Sequence, residues 1–161
     1  MHNKRKLLDH LILTLEGHYE AALTAAKKAH STATDKANVA ENKYDTLGLE
    51  ASYLAQGQAN RAAEYKTELA MLKNLNACEY TSDDAIGVGA HVSLVDQYDK
   101  QLVVFLVPVS GGMKFEFAGQ TIMVITPASP LGQQLLGKCV EDDITIGNGS
   151  HQNTYYISAI G

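Results

Sequence analysis

The first 76 residues carry no proline and only three of the 13 glycines, so nearly half the chain lacks the strongest interrupters of a helix. Within this stretch Leu8, Leu11, Leu15, Ala22, Ala25 and Ala29 recur at three- and four-residue steps and fall on one helical face. The spacing predicts a first helix over residues 4–31. After the polar stretch Ser31 to Asn38, the series Leu47, Ala51, Leu54, Tyr65, Leu72 and Leu75, interrupted by Gln58, Arg61 and Glu68, predicts a second helix over 39–75. Two such stripes joined by a short polar connection bury themselves by pairing as an antiparallel coiled-coil hairpin. At about 1.5 Å per residue the helices would be roughly 40 and 55 Å long. Small residues dominate near the connection, so that end is expected to pack thinly.

The remaining residues reverse this composition, with ten glycines and all three prolines in 77–161. Strand patterns occur at Gly89–Val95, Gln101–Val109, Thr121–Ile125, Asp143–Ile146 and Thr154–Ile160, punctuated by Gly, Pro and Asn. Between the third and fourth of these, Ser129 reads as an N-cap, Pro130 as the first helical residue and Gly137 as the stop of a short helix. The expectation is a mostly antiparallel sheet with one helix laid across it. The fold class is thus α+β with two domains: a hairpin over 1–76, a polar linker over 77–85 and a sheet domain over 86–161.

Charge narrows the function. The formal net charge is -5, divided as +1 over residues 1–76 and -6 over the rest, which disfavours direct nucleic-acid binding through a basic groove. The longest apolar run, Leu102 to Val109, falls well short of the roughly 20 residues that cross a bilayer, so no membrane role is expected. The basic start before Leu7–Leu15 resembles a signal peptide, but Asp9, His10 and Glu16 interrupt it and no small-residue cleavage site follows, so it reads as a helix start. Cys78 and Cys139 lack CxxC spacing, which points to a reduced cytoplasm. No phosphate-binding loop, nucleophile elbow or HExxH is present, and no two of the six histidines stand three or four apart.

The connection between the helices admits two readings. In one, Asn38 caps the second helix, Glu41 reaches back to complete a capping box, and Asp45 favours the positive helix end. In the other, Glu41 and Asp45, four apart on one face, point from the tip toward a hard cation such as Mg²⁺.

The run Ile125-Thr-Pro-Ala-Ser-Pro-Leu-Gly-Gln-Gln-Leu-Leu-Gly-Lys138, followed by Asp143-Ile-Thr-Ile146 and Tyr156-Ile-Ser-Ala-Ile160, resembles the C-terminal domain of bacterial Gre transcript-cleavage factors. Ile86-Gly-Val-Gly-Ala-His-Val92 is similar to that domain's opening strand, and Ala40-Glu-Asn-Lys-Tyr44 is similar to the family's acidic tip. The resemblance implies an FKBP-like C-terminal domain that docks on the rim of RNA polymerase's secondary channel, with Ser129, Pro130 and Leu131 in the docking motif. It implies further that the hairpin enters the channel and that tip residues Glu41 and Asn42, with Asp35 or Asp45 as second carboxylate, act on the polymerase's catalytic site. Glu41 would share an Mg²⁺ that belongs to the polymerase, and the factor alone would bind no cofactor and show no nuclease activity. A monomer is expected, touching nascent RNA and DNA only inside the elongation complex.

Two positions depart from the family pattern. Asn38 stands where the tip aspartate belongs, and Ala128 replaces the acidic residue that often precedes the Ser-Pro pair. Transcript-cleavage stimulation therefore stands beside a second expectation, a channel-binding regulator without cleavage activity of the DksA-like or inhibitory Gre-paralogue kind. From a different class comes a prolyl isomerase or chaperone whose hairpin is a dimerisation arm.

Overall fold

The computed structural model describes residues 4–35 and 46–161. Two long helices come first, α1 (Lys4–Thr34) and α2 (Leu47–Lys73), as the absence of proline permits. A six-stranded sheet follows: β1 (His91–Asp96), β2 (Gln101–Leu106), β3 (Lys114–Phe117), β4 (Gln120–Ile125), β5 (Asp143–Ile146) and β6 (Asn153–Ile160). The short helix α3 (Pro130–Leu135) lies between β4 and β5, and a 3-10 turn, Gly149–His151, precedes β6. Spatially the chain gathers into two compact units, Met1–Ile12 with Met71–Gly161, and Leu13–Ala70.

In the helical unit the antiparallel pairing shows in the contacts. His18, midway along α1, meets the Tyr65 ring in the second half of α2 at 5.9 Å between centroids. Farther along, Ala25 and Ala29 share a groove with Ala51 and Leu54. Among the described residues of this unit, the buried side chains are Leu15, Ala22 and Ala29 of α1 with Ala51, Ala62 and Leu69 of α2. Four of these six are alanines, so the seam buries little apolar surface per turn and leaves gaps. One is a cavity of about 570 Å³ bordered by His18, Ala22, Gly57 and Arg61.

α2 is described from Leu47, where the Thr46 carbonyl accepts the Glu50 N–H at 2.8 Å and the Thr46 hydroxyl donates to the Glu50 carboxylate at 3.0 Å; positions 39–45 of the expected second helix lie outside the described residues. Thr46 thus closes the first turn. Asn38 and its expected capping box with Glu41 lie outside the described residues.

The sheet runs β3-β4-β2-β1-β6-β5. All neighbouring pairs are antiparallel except β2 with β4, which run parallel. That arrangement needs β3, the one strand the patterns above do not predict. β3 is reached through Gly111-Gly112 and returns through Ala118 and Gly119, whose φ angles of 50° and 79° make the two-residue turn that matches strand twist. Along β2, Leu102, Val104 and Leu106 pack toward the α3 side with Val92, Leu94, Ile125, Leu135, Ile144 and Ile157. The alternate residues Val103 and Phe105 are buried too, in register with Ile122 and Val124. A strand covered on both faces reads as a continuous apolar run, which is why residues 102–109 look so apolar in sequence. Over the second face, the His10 ring of α1 lies 5.9 Å from Phe115 and 5.5 Å from Phe117.

The 77–85 stretch is held by specific contacts. Lys4, a residue 2 % exposed, donates through its ammonium to the Cys78 carbonyl and places that group 4.0 Å from the Tyr80 ring centroid. The Tyr80 hydroxyl donates to the Val88 carbonyl at 3.0 Å and occupies the space a side chain at Gly87 would fill. Asp84 accepts from the Thr81 N–H and hydroxyl, which holds its carboxyl below the ordinary aspartate value.

Candidate functional site

α3 is built by three small-scale devices in succession. β4 ends at buried Ile125, and the Thr126 carbonyl then accepts both the Ser129 N–H at 3.0 Å and the Ser129 hydroxyl at 2.7 Å. Ser129, extended at φ -69° and ψ 152°, turns its Oγ to accept the Gly132 N–H at 3.1 Å, the N-cap its position suggested. Pro130 opens the helix, where its missing N–H costs nothing. The Leu136 N–H closes the helix on the Gly132 carbonyl at 3.0 Å, and Gly137 then leaves it at φ 78°.

Gly132 is the residue this arrangement most depends on, and its importance was not apparent from the motif. A Cβ there would lie 2.0 Å from the Thr126 carbonyl oxygen. A glycine two residues into a capped helix was the available signal, since propensity disfavours it there and a close approach explains it.

Orientation follows from burial. Leu135 is fully buried against Ile144 and Ile157, and Leu131 packs partly against the same cluster. Pro130, Gln133, Gln134 and Leu136 face outward, with Ser129 half-buried between the two sets. Residues 136–138 tie this helix to the segment before β1: the Gly137 N–H donates to the Ile86 carbonyl at 2.9 Å and the Ile86 N–H to the Lys138 carbonyl at 2.7 Å. The sequence-predicted trio Ser129, Pro130 and Leu131 is therefore contiguous, rigidly held and accessible at Pro130.

A family profile described as "Transcription elongation factor, GreA/GreB, C-term" matches residues 81–161, which include all of α3 and every strand. This chain belongs to the GreA/GreB family. Among solved structures, it is similar to GreA factor homolog 1 (Gfh1) of Thermus thermophilus, at 22 % identity over 93 % of this chain and 94 % of that one, with a TM-score of 0.40. It is also similar to Gfh1 of Thermus aquaticus, at 26 % identity over 94 % and 92 % of the two chains with a TM-score of 0.39. A GreA/GreB factor from Nitrosomonas europaea matches at 17 % identity over 62 % and 78 %, with a TM-score of 0.38. No curated protein matches the chain significantly.

For this GreA/GreB-family chain the second candidate site is the hairpin tip. Glu41, Asn42 and Asp45 lie outside the described residues, and Asp35 follows the last residue of α1 in an exposed position. Among the described residues no three His, Cys, Asp or Glu side chains gather closely enough to hold a metal ion, and no helix is long and apolar enough to cross a membrane.

Proposed function

We propose that this protein binds RNA polymerase at the rim of the secondary channel through the exposed face of α3, and that its hairpin tip stimulates hydrolysis of backtracked RNA by the polymerase. The observation that supports this most is the family match over 81–161 combined with a Ser129-Pro130 cap held on a solvent-facing helix. A rigid, capped helix is a suitable docking element because its exposed side chains are positioned before contact, which lowers the entropy lost on binding.

At the tip, Glu41 with Asp35 or Asp45 offers the hard carboxylate oxygens that suit Mg²⁺, and Asn42 adds a neutral donor and acceptor beside them. An Mg²⁺ brought by the polymerase would supply charge stabilisation for phosphodiester hydrolysis. The contribution of this chain is to hold those carboxylates at the end of two long helices. It is an accessory factor and has no nuclease activity of its own.

Asn38 favours a second reading, because an amide stands where the family pattern has an aspartate and carries no charge toward a cation. In that reading the factor occupies the channel and regulates transcription without promoting cleavage.

The deciding experiment incubates the protein with a stalled, backtracked elongation complex of its cognate polymerase and Mg²⁺, following shortening of the RNA 3′ end beside a Glu41→Ala variant. Shortening that is lost with Glu41 at unchanged polymerase binding supports cleavage stimulation. Binding without shortening replaces it by the non-cleaving regulator, and no binding refutes both.

A further inference from the structure

Midway along the hairpin, the seam between the two helices is not filled by side chains. The cavity of about 570 Å³ lies between His18 and Ala22 of α1 and Gly57, Gln58, Arg61 and Tyr65 of α2. That volume falls within the roughly 300–1,000 Å³ of small-molecule sites, for which the space between paired helices is a recurrent location. Gly57 keeps it open. A Cβ there would meet nothing within 4 Å and its φ is not left-handed, so neither a neighbour nor the backbone demands a glycine, while the middle of a helix disfavours one.

The walls carry donors of one kind. Arg61 donates through Nε to the Tyr65 hydroxyl at 3.0 Å and through Nη1 to the Glu64 carboxylate at 3.2 Å, with its guanidinium carbon 4.8 Å from the Tyr65 ring centroid. These contacts fix one side of the planar fork and leave the Nη2 group and the second Nη1 hydrogen to a ligand. The Arg61–Glu64 pair is solvent-exposed on both sides, so it competes only weakly with a bound anion. The Tyr65 hydroxyl, which accepts from Arg61, keeps its own hydrogen to donate. Gln58 is half-buried and makes no hydrogen bond among the described residues. Across the seam, His18 adds an imidazole that can donate and gain a proton. Among the described residues no carboxylate lines the cavity.

We propose that this cavity binds a small organic phosphate, a phosphate monoester held by the Arg61 fork and the Tyr65 hydroxyl, with Gln58 and His18 completing the donor set. Donors without a carboxylate among them select an anion, and a planar guanidinium pairs with two phosphate oxygens at once. A dianion suits a wall where a second group, His18, can add a positive charge. The space left beyond the phosphate, floored by Ala22 and Gly57, takes the organic part. The site uses no residue of α3 or of the tip, so it stands or falls apart from the polymerase-binding reading.

The test titrates isotopically labelled full-length protein with phenyl phosphate, inorganic phosphate and benzoate, following backbone amides by two-dimensional NMR. Phenyl phosphate is expected to shift the amides of residues 18–22 and 57–65 saturably, with a Kd below about 1 mM and more tightly than either of the other two. Arg61→Gln should weaken it about tenfold, as loss of a charge-assisted pair does, and Gly57→Leu, which fills the space with a good helix former, should abolish it. Both positions are exposed, so circular dichroism should show unchanged helix content. If Gly57→Leu alters it, Arg61→Lys is read in its place; it keeps the charge without the fork and should weaken binding about threefold.

No saturable shift in these two stretches below about 1 mM overturns the site. Saturation that is equal in wild type and Arg61→Gln places the ligand elsewhere and overturns it too. Inorganic phosphate binding as tightly as phenyl phosphate gives the cavity to free phosphate, and benzoate binding as tightly removes the selectivity for phosphate; either result overturns the assignment of an organic phosphate.

Discussion

Replacing Gly132 by alanine tests the local physics of the docking helix most severely. The new methyl carbon would lie 2.0 Å from the Thr126 carbonyl oxygen, 2.9 Å from its carbon and 3.0 Å from Ser129 Oγ. Ordinary contacts between such atoms begin near 3.5 Å, so the carbonyl has to retreat by more than about 1 Å. That oxygen is also the acceptor for the Ser129 N–H and hydroxyl, and Ser129 Oγ in turn accepts the Gly132 N–H. Loss of two of these bonds costs about 2 kcal/mol and overpacking adds about 1–3 kcal/mol, against about 1 kcal/mol recovered from alanine's better helix propensity. The expected net loss is about 2–4 kcal/mol.

Urea unfolding measures this directly. The chain has no tryptophan, and of its eight tyrosines Tyr80 and Tyr155 pack against the sheet core, so part of the tyrosine emission reports the domain of interest. A lower midpoint at unchanged m-value is the expected result. Gly17→Ala serves as the opposite control, since it lies inside α1 with nothing within 4 Å of the added carbon, and it should stabilise by about 0.5–1 kcal/mol. A Gly132→Ala protein as stable as wild type would refute the argument that this backbone approach requires glycine.

Ser129→Ala removes the N-cap and should cost about 1 kcal/mol by the same unfolding assay; no change would mean that water replaces the cap. Ser129→Glu should weaken polymerase binding, and unchanged affinity in a folded variant would remove Ser129 from the interface. Asn38→Asp is expected to raise any cleavage activity, read as RNA 3′-end shortening, because it restores a charge at the tip. Lys4 supplies a pH test: burial holds its ammonium below the ordinary lysine value, against the opposing attraction of Glu79, Cys78 and Asp84. The unfolded chain therefore keeps this proton to higher pH than the folded one, so the Lys4 contribution to stability rises with pH up to the ordinary value of about 10.4. Burial raises the Tyr80 phenol, which opposes this only above about pH 10. As pH rises toward about 10.4, the stability of wild type relative to Lys4→Met should improve, and a difference that stays flat up to that pH would show that Lys4 is not desolvated.

What the sequence by itself determined is what neighbours in the chain decide. The long helices follow from periodic Leu and Ala without proline, and the α3 cap follows from Ser129-Pro130 with Gly137 behind it, because capping and helix termination act over a few residues. The Ser-Pro motif also led to the family, which the match over 81–161 then showed. Only the tertiary structure decided where those local elements meet. β3 escapes the strand patterns because it is four residues long and owes its pairing to the Ala118-Gly119 turn and to β4. The parallel β2–β4 pair, the Lys4–Tyr80 contact across 76 positions and the approach of Gly132 to Thr126 join groups whose meeting no local pattern encodes. The groove at the start of α2 belongs to the same class: Leu47 and Leu54 fit a buried stripe by spacing, but the alanines opposite are too small to cover them, so packing across the seam left them exposed.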